Sequence, residues 1–207
     1  VCESMIMPSY WLFILPALLL GMWATWRTHS TFNRYARVRA RSGLTGAEAA
    51  RALLDAEGLY DVRIERVGGF LTDHYDPQKN VLRLSPGVYD SASLAAIGIA
   101  CHEAGHALQK AASYGPLVVR TQLVPVTQLG SHLAFPIILL GLVLHRPGLF
   151  QFGLLLFVVV VAFTLITLPV EWNASARAKR LMVRSGVVTP DEAPHAAAVL
   201  DAAFLTY

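Results

Sequence analysis

Charge is scarce in this chain of 207 residues: Asp, Glu, Lys and Arg make up 15%, whereas hydrophobic residues reach 55%. Average soluble proteins contain about 25% charged residues, so the deficit argues against an ordinary soluble domain and indicates a membrane protein. The formal net charge of +3 is too small to predict a nucleic-acid partner. Cysteine is also rare, and Cys2 and Cys101 alone exclude a disulfide framework.

Three apolar stretches are long enough to cross a bilayer, at residues 8–26, 124–144 and 148–170. Each approaches the roughly 20 residues that a hydrocarbon core requires. The first stretch could instead be a signal peptide, but its length and its tryptophans favour a transmembrane helix anchored at the interface. Only three residues separate the other two stretches, so residues 124–170 predict a transmembrane hairpin.

Positive charge after the first stretch predicts the orientation. Five arginines and no acidic residue lie between Arg27 and Arg41, and such segments remain on the cytoplasmic side of a bacterial membrane. We therefore expect a multi-pass protein of the bacterial inner membrane, with residues 27–123 forming a cytoplasmic domain. Residues 171–207 then form a cytoplasmic helix and a C-terminal segment.

Local patterns in the cytoplasmic domain predict helices and a small β element. Thr45 and Glu48 have the spacing of a capping box that opens a helix, and Gly58 can end it. Short alternating runs near residues 62–67 and 81–84 predict strands. Ser91 or Ser93 can cap a further helix. The expected fold class is a mainly α membrane protein with a small β element.

That further helix carries the sequence His102-Glu103-Ala104-Gly105-His106, an H-E-x-x-H motif. Residues four apart share one face of a helix, so His102 and His106 can direct two imidazoles at one metal ion. Zinc accepts such ligands and acidifies a water molecule, and Glu103 is placed to act as a general base. Cys101 should face away from this pair as a small buried side chain.

A catalytic zinc site needs a third protein ligand. Glu171 follows the third apolar stretch directly, where the hairpin returns the chain to the cytoplasmic surface. We therefore expect Glu171 to complete the site, with Asp73, His74 and Asp76 as alternatives for this position or as outer supports of the ligands.

Three blocks of sequence, taken in order, resemble the YugP-like neutral zinc metallopeptidases of bacterial membranes. The blocks are Thr72–Pro77, His102–Gln109 and Leu168–Ser175. The layout is also similar to the HtpX-like membrane proteases and to a compact gluzincin. The resemblance covers essentially the whole chain and implies a zinc peptidase with about three transmembrane helices and a fourth expected beyond residue 207.

The resemblance further implies one Zn²⁺ ion held by His102, His106 and Glu171, with Glu103 as catalytic base. Gluzincins often carry an Asp four residues after the ligand Glu, whereas this chain has Ser175 there. The support of the ligand histidine is then either weaker or supplied elsewhere, with Asp73 and Asp76 as the candidates.

A donor must also stabilise the oxyanion that forms during peptide hydrolysis. His74 and Tyr75 are the first candidates, followed by Asn173 and Arg177, and the strand edge in residues 70–85 can pair with an extended peptide. The expected substrate is therefore an unfolded or membrane-associated peptide or protein, cleaved near the cytoplasmic membrane surface.

Other functions remain open at this stage. The chain could be a non-catalytic membrane adaptor or a pseudoenzyme with a structural zinc site, although such a site has no use for Glu103. Zinc deformylases also use H-E-x-x-H, but their cysteine-bearing ligand motif is absent from this sequence. The sequence leaves the oligomeric state unknown.

Overall fold

A computed structural model describes residues 3–206, with side chains from residue 15 onward. The described helices are α1 (Glu3–Tyr35), α2 (Gly46–Ala56), α3 (Pro86–Tyr89), α4 (Leu94–Ala111), α5 (Gly115–Val143), α6 (Pro147–Arg184) and α7 (Ala193–Phe204). The strands are β1 (Arg63–Arg66), β2 (His74–Asp76) and β3 (Val81–Leu84). The expected mainly helical chain with a small β element is therefore confirmed.

The three strands form one sheet in the order β1-β3-β2. β1 pairs with β3 in parallel, and β2 pairs with β3 antiparallel, with Tyr75 opposite Leu82. β2 is therefore an edge strand. Its free edge lies against α4, because the backbone N–H of Tyr75 donates to the side chain of Glu103 on that helix.

Side-chain capping sets the starts of two helices. Thr45 and Glu48 form the predicted capping box at the start of α2, and Gly58 follows its end with a φ of 75°. Ser93 caps α4 by accepting a hydrogen bond from the backbone N–H of Ala96. Both helix starts agree with the sequence prediction.

One hydrophobic core joins α2, the sheet, α4, the C-terminal half of α6 and α7. Leu54, Leu82, Ile97 and Met182 are among its fully buried members. Cys101 is buried in the same core, as predicted, and burial raises the pKa of its thiol to about 12. This core holds α4 and α6 side by side.

Two of the described helices, α5 and α6, are long and apolar enough to cross a membrane. Their large apolar side chains point outwards, and Phe135 and Leu165 are 71% and 63% exposed. Soluble surfaces rarely expose apolar patches of such extent, so a bilayer is the environment that suits these helices. The first expected transmembrane stretch, residues 8–26, lies partly outside the described side chains and stays a prediction.

The two candidate membrane helices differ in extent from the expected stretches. α5 starts at Gly115, nine residues before the predicted position at Val124. α6 continues without a break through Pro169 and Glu171 to Arg184, so Glu171 is not on a separate cytoplasmic helix.

Candidate metal centre

The three predicted ligands converge at the contact between α4 and α6. Glu171 Oε2 lies 3.1 Å from His102 Nε2 and 3.5 Å from His106 Nε2. One ligand atom from each residue lies within 4.8 Å of the other two. Sequence reasoning therefore selected three side chains that the fold brings together.

Local structure explains this convergence. His102 and His106 are one turn apart on α4, so both rings leave the same face. Gly105 lies on the adjoining surface, where a Cβ atom would be only 2.7 Å from the backbone carbonyl oxygen of Ala174. The missing side chain lets α6 approach closely enough for Glu171, which is 1% exposed, to reach both histidines.

Each histidine is held by a second hydrogen bond on its other ring nitrogen. Ser175 Oγ lies 3.1 Å from His102 Nδ1, and Gln109 Oε1 lies 3.0 Å from His106 Nδ1. Gln109 Oε1 is an acceptor, so Nδ1 of His106 carries a proton, and Nε2 is the ring atom that faces Glu171. Gln109 is fully buried and its Nε2 donates to the Val170 carbonyl at 2.7 Å, which ties α4 to α6.

The two aspartates expected to support the histidines bond elsewhere. Asp73 accepts hydrogen bonds from the backbone N–H and hydroxyl of Ser85, and Asp76 pairs with Arg83 at 3.1 Å. Burial and the negative charge of Glu103 raise the pKa of Asp73, whereas the hydrogen bonds from Ser85 lower it. The net effect is a raised pKa. Ser175, at the position where gluzincins carry an aspartate, makes the contact to His102 itself.

Glu103 is half-buried and held by the edge strand, because its Oε2 accepts the backbone N–H of Tyr75 at 3.1 Å. The Tyr75 hydroxyl points elsewhere and donates to Asn80 Oδ1. Burial, with the charges of Asp61 and Asp76, raises the pKa of this phenol to about 12. Tyr75 therefore contacts the candidate base through its backbone and not through its hydroxyl.

His74 is exposed, with Nδ1 2.9 Å from the Thr72 carbonyl oxygen. A carbonyl only accepts, so Nδ1 carries a proton, and Nε2 can donate only when the ring is doubly protonated. The two remaining donor candidates are paired together, since Arg177 Nε donates to Asn173 Oδ1 at 2.8 Å.

Two cavities meet at the ligand cluster. The larger, of about 470 Å³, lies on the His106 side and is lined by His74, Arg120 and residues of β2 and α5. The smaller, of about 220 Å³, lies on the His102 side between α1, α4 and α7. Glu103 and Glu171 line both cavities, so a substrate can extend past them in two directions.

Arg120 is a residue of this site that sequence reasoning missed. Its Nη2 lies 3.3 Å from Glu171 Oε1, although the contact lacks hydrogen-bond geometry and Oε1 accepts none from the described residues. A signal was present, because Arg120 is the one formally charged residue of the apolar helix α5. Such residues in transmembrane segments commonly mark functional sites.

The electrostatic potential at the centre is negative, as the pKa of His106 shows. Burial alone would lower the pKa of His106, but the hydrogen bond to Glu171 and the negative charges of Glu103 and Glu171 raise it. Two carboxylates next to two imidazoles therefore favour a cation at this position.

Comparison with known proteins gives a family and a relative. The family described as "Putative neutral zinc metallopeptidase" matches residues 10–207. The chain is 49% identical over 193 residues to the protein of Bacillus subtilis (strain 168) named "Putative membrane protease YugP", which covers 93% of this chain and 86% of that protein. No solved structure matches the chain.

Proposed function

Because the chain belongs to the family described as "Putative neutral zinc metallopeptidase", we propose that it is a membrane-bound zinc peptidase with one Zn²⁺ held by His102, His106 and Glu171. The observation that carries this proposal is the convergence of both Nε2 atoms on Glu171 Oε2.

The three ligand residues fit zinc in their chemical type and in the orientation of their side chains. Two imidazole nitrogens and one carboxylate oxygen are ligands that zinc prefers, and three protein ligands are the number found in catalytic sites. Ser175 and Gln109 occupy the Nδ1 atoms, which orients the Nε2 atoms towards the common point. When bound there, zinc would supply the Lewis acidity that polarises a peptide carbonyl and acidifies water.

Glu103 is the proposed general base. The Tyr75 N–H holds Oε2, which leaves Oε1 to accept the proton of the attacking water and then deliver it to the leaving amine. His74 and Arg120 line the same cavity and are the proposed donors to the developing oxyanion. His74 can donate from Nε2 only when both ring nitrogens carry protons, whereas Arg120 is permanently charged.

The proposed substrate is an unfolded or membrane-associated peptide or protein, and the proposed site of cleavage is the cytoplasmic surface of the bacterial inner membrane. This location rests on the arginines from Arg27 to Arg41 and on the position of Glu171 just past the apolar part of α6. β2 is an edge strand, so an extended peptide could pair with the backbone groups of its edge other than the Tyr75 N–H, which Glu103 already accepts.

The rival function is a membrane adaptor or pseudoenzyme with a structural zinc. A closed structural site takes four protein ligands, whereas the cluster found among the described residues has three, with Glu103 facing two cavities. This arrangement favours the peptidase.

The decisive experiment compares Glu103→Gln with the unmodified protein. We expect zinc content to stay the same while cleavage of casein or a membrane protein falls by about 10²- to 10⁴-fold. Glu57→Gln makes the same change at an exposed residue after α2 and serves as the control. Undiminished cleavage by Glu103→Gln would contradict the proposed mechanism, and full zinc content in both His102→Ala and Glu171→Ala would contradict the ligand set.

A further inference from the structure

The smaller cavity differs in chemistry from the larger one. Its walls are mainly apolar and come from three helices and the loop before β2, through the side chains of Phe32, Leu71, Ile99, Val199, Leu200 and Phe204. The larger cavity carries His74, Arg120 and Gln128 instead. The two ends of one cleft therefore present different surfaces to a substrate.

The apolar cavity lies next to the candidate base Glu103. His102, Glu103 and Glu171 line it, while His106 lines the larger cavity and not this one. A peptide bond placed at Glu103 therefore has one flanking residue at the apolar cavity and the other at the larger cavity.

We infer that the apolar cavity is a specificity subsite that takes one aliphatic or aromatic side chain, from a residue directly flanking the bond that is cleaved. This inference rests on the proposed peptidase function. We call the cavity the apolar subsite.

Size supports a single side chain as the occupant. The apolar subsite measures about 220 Å³, below the range of about 300–1,000 Å³ for pockets that enclose a whole small molecule. The peptide backbone does not need to enter, because β2 is an edge strand beside Glu103 and a peptide backbone could run along it outside the cavity. What enters the subsite is therefore apolar and small.

The expected preference is substantial. A single methylene in an apolar enzyme pocket changes kcat/KM by about 10- to 200-fold. We therefore expect a peptide with Leu or Phe at the flanking position to be cleaved at least about 10-fold better than one with Ala or Ser there.

The first test is a cleavage profile of the full chain, purified with zinc in detergent, on a diverse peptide library read by mass spectrometry. We expect Leu, Ile, Met and Phe to be enriched on one side of the cut bonds. A profile without preference on either side would overturn the subsite, although Glu103-dependent cleavage would stand. If no peptide is cleaved in a Glu103-dependent manner, the proposed function itself fails.

The second test narrows the subsite with Ala203→Leu on α7, a lining position. We expect the ratio of kcat/KM for a Leu peptide over its Ala counterpart to fall by about 10-fold or more. Ala197→Leu makes the same change on the same helix outside the lining and should keep the ratio.

An unchanged ratio in Ala203→Leu with normal zinc content would overturn the inference. The same result is expected if a lipid acyl chain, and not a substrate side chain, fills the cavity. If Ala203→Leu does not fold, the library profile of the unmodified protein decides.

Discussion

Arg120 Nη2 lies 3.3 Å from Glu171 Oε1, whereas the other carboxylate oxygen, Oε2, faces the two histidines. The guanidinium comes from α5 and the carboxylate from α6, so the contact spans the two helices of the hairpin. It leaves one buried carboxylate between a fixed cation and the proposed zinc position.

Replacing Arg120 should therefore impair the centre. In Arg120→Gln, Glu171 loses the cation that orients it, and we expect kcat/KM to fall by about 10- to 100-fold. Arg120→Lys should recover part of the loss, since lysine keeps the charge without the planar fork. Steady-state kinetics with zinc analysis measure both variants, and full activity in Arg120→Gln would exclude this role.

Ser175→Ala tests the support of His102. Loss of the hydroxyl removes the partner of His102 Nδ1 at 3.1 Å, and we expect zinc affinity to fall by about 10-fold or more while the fold persists. Affinity is measured by competition with a chelator. Ser185→Ala is the control, because that hydroxyl donates to the Leu181 carbonyl oxygen at the end of the same helix, away from the ligands. Equal zinc affinity in both variants would contradict the role of Ser175.

Gly105→Ala tests the close approach of α4 and α6. The new Cβ would lie 2.7 Å from the Ala174 carbonyl oxygen, so the helices must separate, which costs about 1–3 kcal/mol. The same movement draws Glu171 away from the histidines and should lower zinc content. Gly115→Ala, where a Cβ meets nothing within 4 Å, serves as the control. Thermal unfolding by circular dichroism compares the pair, and equal unfolding temperatures and zinc contents would contradict the prediction.

Glu192 should make the stability of the fold depend on pH. Its carboxylate accepts the backbone N–H groups of Arg41 at 2.8 Å and Thr189 at 3.0 Å, and so joins two loops. Burial alone would raise the pKa of Glu192, but these hydrogen bonds, the Thr189 hydroxyl and the charge of Arg41 hold it below its ordinary value.

A carboxyl whose pKa is lower in the folded state stabilises the protein above its unfolded pKa, about 4.3, and loses that contribution as the pH falls through the folded value. Glu192→Gln should therefore lower stability at pH 7 by about 1 kcal/mol. The difference from the unmodified protein should shrink below about pH 4. Thermal unfolding at several pH values tests this, and a difference that grows in acid would contradict it.

Local chemistry made part of the fold predictable from sequence. Thr45 and Ser93 mark the starts of α2 and α4 because their hydroxyls satisfy backbone N–H groups only a few residues away. Glu171 was predictable for a different reason. The predicted transmembrane hairpin would return the chain to the side from which it left, and this expected topology placed the carboxylate near the motif helix.

Contacts between residues that are distant in sequence were harder to predict. Ser175 lies 73 residues from His102, and no spacing rule connects a helix face to a partner so far along the chain. Asp73 and Asp76 were better candidates by chemistry, but hydrogen bonds to Ser85 and Arg83 hold them elsewhere. The continuity of α6 was also hidden, because Pro169 suggests a break that helices in apolar surroundings can tolerate.

The unbroken course of α6 joins one ligand of the proposed centre directly to a helix that is long and apolar enough to cross a bilayer. At about 1.5 Å per residue, Glu171 lies roughly 36 Å along the helix axis from Pro147. The same helix carries an exposed apolar surface and one of the three proposed ligands, while the other two belong to α4 outside the apolar hairpin. In a bilayer, thickness and helix tilt would therefore set the height at which the carboxylate meets the imidazoles.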